Sequence, residues 1–386
     1  MEKPLFQLQK RAEQDRDFIE STWANLDHKL SEVAVRSREK FPYTTKNGVH
    51  VPKANASICW WTNGFWGGLM WLMYCGTKNE EYRRSAERNE ERLDRAREEF
   101  WGLHHDVGFM YHITAGVNYK LTGNEISKKR HMYAACLLAS RFHVNGEFIR
   151  AWNDEPCVTI IDSMMNIPLL YWASEETGDP HFRDIAMKHA DTVRRNHIRA
   201  DGSVKHIVTY NTETGEAVQT LAGQGYSADS SWSRGQSWAL YGFLLSYIYT
   251  GKQEYLDTAK QTAHYFISCV SDDYLPKSDF RAPKEPVLYD MTASACAAAG
   301  LLELAKNVSE YEGEMYYNAA IKLLKAMAKK FCNYDVMVDH VVEMGTERWT
   351  DDPKQIGKTA NIPIIYGDYY FAEAIYKLKG FELLFE

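Results

Sequence analysis

The sequence predicts an all-α fold: a closed α/α barrel of six helical hairpins, read as one domain over residues 1–386. Three observations lead there. Helical periodicity dominates while strand signals are sparse. A Gly-containing turn recurs between a long apolar helix and a polar one. The segments between such pairs are long and rich in polar and aromatic residues, as expected where a repeat carries its insertions on one face.

Taken in order, a first helix spans about 5–36. "SICWWTNGFWGGLMW" (57–71) opens the first inner helix, and "MYCGTKNEEYRRSAERN" (73–89) turns it into its outer partner. The same turn recurs in "YKLTGNEISKKRHMYAA" (119–135), "ASEETGDPHFRDIAMKHA" (173–190) and "YIYTGKQEYLDTAKQTA" (247–263). Glycine at a helix end takes the left-handed cap conformation, and the polar residues after it start the next helix. A weaker copy, 301–324, places Asn307 where the glycine would stand. The final helix, about 366–379, pairs with the first to make a sixth hairpin. Longer connections fall near 42–62, 144–158, 200–231, 273–289 and 332–365. Their uneven lengths argue against an open solenoid, whose repeats are nearly constant. Long loops at one end of a rigid scaffold are where sites are built.

Composition narrows the function. The formal net charge is −7 with no Lys/Arg block, which argues against nucleic acid or an acidic membrane surface as partner. Aromatic residues make up 13% of the chain, with 11 Trp and 24 Tyr, suiting a cleft lined with flat rings. The opening stretch lacks the apolar core of a secretory signal, and no run of eighteen apolar residues could span a bilayer. Seven scattered cysteines without a CxxC pair read as reduced thiols. The expectation is a cytoplasmic enzyme.

Two aspartates need explaining. Asp162 interrupts the apolar run "TIIDSMMNIPLLYW", where desolvation disfavours its charge and only Ser163 and Asn166 share its polarity. It could cap a helix, or sit in the first turn behind Thr159 as cap. Asp106, in "FWGLHHDVGFMY" (100–111), has the spacing of an N-cap too. Yet successive inner helices of a hairpin barrel run parallel, so their N-termini share one mouth. Two carboxylates there force at least one pKa upward and resemble the paired acids of glycoside chemistry. Adjacent His104 and His105 rarely converge on one ion, and no His-x-x-x-His supports them, so no metal is expected. In "TLAGQGYSADSSWSRGQSWALYGF" (220–243), Arg234 falls in a first helical turn, where the dipole disfavours a cation. It therefore calls for an anion, either a structural Asp or a substrate carboxylate. Trp238 shares its face and could stack on a sugar or fill the core. Trp60 and Trp61 precede a helix start and could face the mouth. Gly-x-Ser-x-Gly is absent, and Gly67–Gly68 lacks the context of a phosphate loop.

The segments "HHDVGFMY", "IIDSMMNIPLLYWA", "GYSADSSWSRGQSWALYGF" and "IIYGDYYFAEA" resemble the unsaturated glucuronyl hydrolases, family 88 of the glycoside hydrolases, in order and spacing. The resemblance implies an (α/α)6 barrel without metal or organic cofactor. It also implies removal of a 4,5-unsaturated uronic acid from lyase-generated oligosaccharides by hydration of its double bond. It assigns Asp162 as general acid/base and Asp106 as the supporting carboxylate. It places Trp60, Trp152, His206, Gln224, Arg234 and Trp238 around the unsaturated sugar, with His105 as a further contact and Trp349 bordering the next sugar. The stretch "DDPKQIGKTANIPIIYGDYY" (351–370) has Lys354 and Lys358 but lacks the serine of a sulfate-binding pattern; Lys358 is either a sulfate contact or a solvated loop lysine. The apolar setting of Asp162 is expected to keep its proton near neutral pH. Two rival readings stand beside this one: a hydrolase of unsaturated rhamnogalacturonan fragments from pectin, and a non-catalytic carbohydrate-binding helical protein.

Overall fold

A computed structural model describes residues 5–382. Six inner helices are Phe65–Thr77, the broken helix running from Val107 to Thr122, Pro168–Thr177, Ser233–Thr250, Met291–Lys306 and Ile365–Leu378. Their outer partners are Glu80–Arg92, Glu125–Ala139, Pro180–His197, Gln253–Val270, Glu310–Lys330 and, closing the ring, Arg16–Ser37. This is the expected all-α, six-hairpin (α/α)6 arrangement. The reason lies in the faces. Met291–Lys306 is buried from Met291 through Ala305, and Ile365–Leu378 along its whole length. A helix apolar on all sides must be covered on all sides. The outer helices bury one stripe; Gln253–Val270 hides Tyr255, Leu256, Ala259, Ala263 and Phe266. One continuous core runs from Phe6 to Leu378.

The hairpin turns use the expected device with two departures. Gly123, Gly178 and Gly251 cap their helices at φ +70°, +70° and +67°. In the first hairpin the left-handed residue is Lys78 (φ +62°), not Gly76. Gly76 lies inside the helix, where a Cβ would come within 2.3 Å of the Trp23 ring, so it serves packing. Asn307 does end its helix, but at φ −102°, with its side-chain amide donating to the Glu303 carbonyl at 2.9 Å. The first helix is also shorter than expected: Leu8–Ala12 leads through a 3-10 turn into Arg16–Ser37.

Small antiparallel sheets stiffen the loops at the mouth. Thr44–Lys46 pairs with Val49–Val51, and Phe142–His143 with Phe148–Ile149. Val158–Ile160, Ile207–Tyr210 and Ala217–Leu221 form a three-stranded sheet with Ile160 opposite Ile207 and Thr159 opposite Val208. β-branched residues favour these extended runs. The register sets His206 beside Ile161, whose N–H donates to the His206 carbonyl at 3.1 Å.

Candidate active site

Both aspartates reach one cavity of about 580 Å³ at the mouth. Asp106 precedes Val107–Tyr111 but its side chain caps nothing. Asp162 is the second residue of a 3-10 turn, Ile161–Met165, that follows directly from the strand Val158–Ile160. Thr159, the alternative cap, lies in that strand instead, 2.8 Å from His197 Nε2. The capping explanations therefore fail for both carboxylates.

Asn166 sits between them. Its Nδ2 donates to Asp106 Oδ1 at 3.0 Å and to the Asp162 carbonyl at 3.1 Å. Its Oδ1 accepts the Phe109 N–H at 2.9 Å. Burial, and next the Asp162 carboxylate, push Asp106 well above the usual carboxylate range, against the Asn166 hydrogen bond and the Arg141 charge. Arg141 itself is brought down to about 10 by burial. It donates to Asn153 Oδ1 at 2.6 Å and to the carbonyls of Arg150 and Ala151 at 3.0 Å each, holding the loop that carries Trp152.

His206 faces Asp162 with its Nε2 3.5 Å from Oδ2. The Gln224 N–H donates to His206 Nδ1 at 3.0 Å, which leaves the proton on Nε2, toward Asp162; the Ala222 carbonyl lies 3.3 Å from the same Nδ1. Gln224 also stitches the mouth together. Its carbonyl accepts the Trp349 N–H at 2.9 Å and its side-chain amide donates to the Glu347 carbonyl. Neither Asp162 Oδ2 nor His206 Nε2 has a hydrogen-bond partner among the described residues, and the same holds for the indole N–H of Trp60 and of Trp238. Buried polar atoms are normally paired, so the unpaired groups of Asp162, His206 and Trp60, which line one cavity, mark where a polar ligand belongs.

Of the residues singled out from sequence, Trp60, Trp152, His206, Gln224 and Trp349 line the cavity with both aspartates. His105, Arg234 and Trp238 are fully buried and stand behind its wall. His104, not His105, forms the lining; burial first, then the Arg141 charge, lowers it to about 4 and so keeps it neutral. The side-chain donors of His104, His105 and Asp106 converge within 4.8 Å, closer than adjacent positions were expected to come. Arg234 finds the structural anion: it pairs with Asp290 and donates to the carbonyls of Thr346 (2.7 Å) and Glu347 (2.9 Å). Trp238 packs on Phe109 with ring centres 5.3 Å apart. Lys358 lies on an exposed turn outside the lining.

Sequence reasoning missed Asp290, Tyr366, Arg348 and the Lys53–Glu347 pair that ties the first β-hairpin to the 345–350 loop. For Asp290 a signal existed: like Asp106, it is an acid directly before an apolar inner helix, and unlike Asp106 its side chain caps that helix by accepting the Thr292 N–H. Among the described residues no helix is long and apolar enough to cross a membrane.

Comparison with known proteins agrees with this geometry. The family model described as Glycosyl Hydrolase Family 88 matches residues 33–247. An unsaturated glucuronyl hydrolase of Bacillus sp. (strain GL1) is 36% identical, over 83% of this chain and 86% of that one. An unsaturated chondroitin disaccharide hydrolase of Streptococcus pyogenes serotype M1 is 31% identical, over 97% and 95%. The crystal structure of unsaturated glucuronyl hydrolase from Bacillus sp. GL1, responsible for degradation of glycosaminoglycan, superposes with a TM-score of 0.85 at 32% identity, covering 92% of this chain and 97% of that one. The fold, the paired carboxylates and these likenesses together establish that this chain belongs to glycoside hydrolase family 88.

Proposed function

We propose that the protein removes the 4,5-unsaturated uronic acid from the non-reducing end of lyase-generated glycosaminoglycan disaccharides of the chondroitin, hyaluronan or heparin type. The observation that carries this reading is the convergence of Asp106, Asp162 and His206 on one cavity walled by Trp60, Trp152 and Trp349. The C4=C5 bond is part of an enol ether, so protonation at C4 leaves an oxocarbenium-like centre at C5. Water adds to C5, its proton passing to the acid's conjugate base. The resulting hemiketal opens, releasing the neighbouring sugar and a keto acid. Asp162 enters the step protonated, gives its proton to C4 and as the resulting carboxylate takes one from the water at C5, with His206 Nε2 3.5 Å from its Oδ2. Asp106, whose neutral form burial favours, supports it and lessens the negative charge that would repel the uronate.

Trp60, Trp152 and Gln224 border the unsaturated sugar, and Trp349 the leaving one. His105, Arg234 and Trp238 support from behind: Arg234 fixes the 345–350 loop through its carbonyls, and Trp238 presents an unpaired indole N–H. On the leaving side, Arg348 lines the cavity and Lys358 does not, so the guanidinium is the better placed to meet an anionic substituent. No step requires a metal or cofactor. All seven cysteines are unpaired, which supports a cytoplasmic setting, and the continuous core supports one domain.

The test follows the ultraviolet absorbance of the conjugated enol ether with an unsaturated chondroitin disaccharide. Decay in the wild type, at least about 100-fold slower in Asp162→Asn, is expected. Decay only with unsaturated rhamnogalacturonan fragments would move the substrate to pectin, and no decay with either would return the chain to a binding role.

A further inference from the structure

Asn166 is fully buried, and both polar atoms of its side chain are committed. Its Oδ1 takes the Phe109 N–H (2.9 Å), which fixes the orientation of the amide. Both Nδ2 hydrogens therefore point toward the acids, one to Asp106 Oδ1 (3.0 Å) and one to the Asp162 main-chain carbonyl (3.1 Å). Gly108 leaves room for this clamp: a Cβ there would stand 2.6 Å from both Asn166 Cα and Oδ1. An amide nitrogen offers only donors, so Asp106 Oδ1 is always an acceptor. A carbonyl-type oxygen accepts more strongly than a hydroxyl oxygen, so this bond favours a proton of Asp106 on Oδ2. That oxygen faces His104 Nδ1 at 3.5 Å and His105 Nε2 at 3.4 Å. His104 Nδ1 accepts the Asp106 N–H (3.4 Å), so it presents a lone pair, not a proton, on the side of Asp106.

We propose that Asn166 is a positioning residue that sets the protonation of the acid pair, keeping Asp106 Oδ1 an acceptor and its proton on Oδ2 against His104, while tethering the turn that carries Asp162. The groups facing Asp106 are Asp162 on the neighbouring 3-10 turn, Arg141 beyond the outer helix, and His104 and His105 on its own loop; His206 stands across Asp162. None of these supplies the Oδ1 donor if Asn166 is lost. The Asn166 hydrogen bond favours the charged form, so removing it raises the pH at which Asp106 ionises.

This inference rests on the proposed double-bond hydration for its consequence in turnover, but its first readout does not need turnover. The infrared carbonyl band of a protonated carboxylic acid is measured against pH as the difference between wild type and Asp106→Asn. The band is expected at neutral pH, and its loss on raising the pH is expected to occur at least about half a pH unit later in Asn166→Ala. Asn166→Asp keeps the size and the Phe109 acceptor while removing both donors; it serves if the alanine variant fails to fold, with the same direction expected. In turnover, both variants should lose at least about tenfold in kcat with KM changed less than about threefold, and the ionisation seen in the pH–rate profile should move to higher pH. A difference band absent at neutral pH, or one lost at the same pH in the variants, would overturn the proposal. Turnover absent in the wild type with the band shift intact would sink the functional reading alone.

Discussion

Burying Asp106 as a neutral acid means that the native state keeps a proton which the unfolded chain releases near its ordinary value of 3.8. Because the native form binds more protons, stability falls as pH rises from about 4 up through the raised native value. Asp106→Asn removes that cost and still offers Asn166 an acceptor. The variant should therefore melt higher than wild type at neutral pH, by about 1–4 °C, with the gain vanishing below about pH 4. Its activity should fall at least about 100-fold. A gain over wild type no larger at pH 7 than at pH 4, by thermal melts, would contradict the burial argument. Arg348 gives a second test at this scale. It is exposed, lines the cavity beside Trp349 and makes no ion pair among the described residues. Arg348→Ala should lower kcat/KM for a sulfated disaccharide about 3–10-fold and leave the unsulfated one unchanged. Lys358→Ala should alter neither.

At the level of single elements, the hairpin turns separate backbone from packing. Gly178 sits at φ +70° with nothing within 4 Å of where a Cβ would stand, so Gly178→Ala is a pure backbone test. It should cost about 1 kcal/mol in urea denaturation. Lys78 occupies the equivalent left-handed position as a non-glycine residue, and Lys78→Gly should gain up to about 1 kcal/mol. Opposite signs at equivalent positions would show that the helix cap, and not the side chain, governs these turns. The broken second inner helix is a different case. A π turn at His112–Gly116 interrupts it where Gly116 meets the His131 ring, re-aiming the N-terminal turn that follows Asp106.

Across the barrel as a unit, titration is dominated by buried neutral histidines. Burial lowers His50, His112 and His189 to about 3 and His104 and His197 to about 4, and takes His105 and His131 well below their ordinary value. In the window between about 4 and 6.5 the unfolded chain binds more protons at these sites, so stability rises with pH. Three buried acids oppose this: Asp106, Asp290 and Asp368, the last raised to about 7. The histidines outnumber them below 6.5, and between there and about 8, where buried Lys29 begins to titrate, the acids dominate. The thermal midpoint should thus peak near pH 6–7 and drop on both sides, as calorimetry across pH would register. A midpoint still rising between pH 7 and 8 would contradict the balance.

The helical hairpins were legible in the chain alone, because apolar periodicity and helix-ending turns are local and repeat often enough to be counted. So was the need to explain Asp106 and Asp162, since a carboxylate in an apolar run stands out whatever surrounds it. The resemblance named their partners, and five of those face the cavity. Folding settled which side of the wall each residue occupies. Arg234 was legible as a cation requiring an anion, but Asp290, 56 residues away, meets it only once the barrel closes. His104 and His105 are neighbours in sequence, yet one lines the cavity and the other is sealed behind it, a difference of backbone direction that no spacing rule supplies. Asn166 was visible as a polar residue near Asp162; its hold on Asp106 spans 60 residues and exists only where two inner helices meet. Local chemistry announces that a group is unusual. Which partner answers it is set by long-range packing, because desolvation and hydrogen bonding act between residues that the chain brings together only when folded.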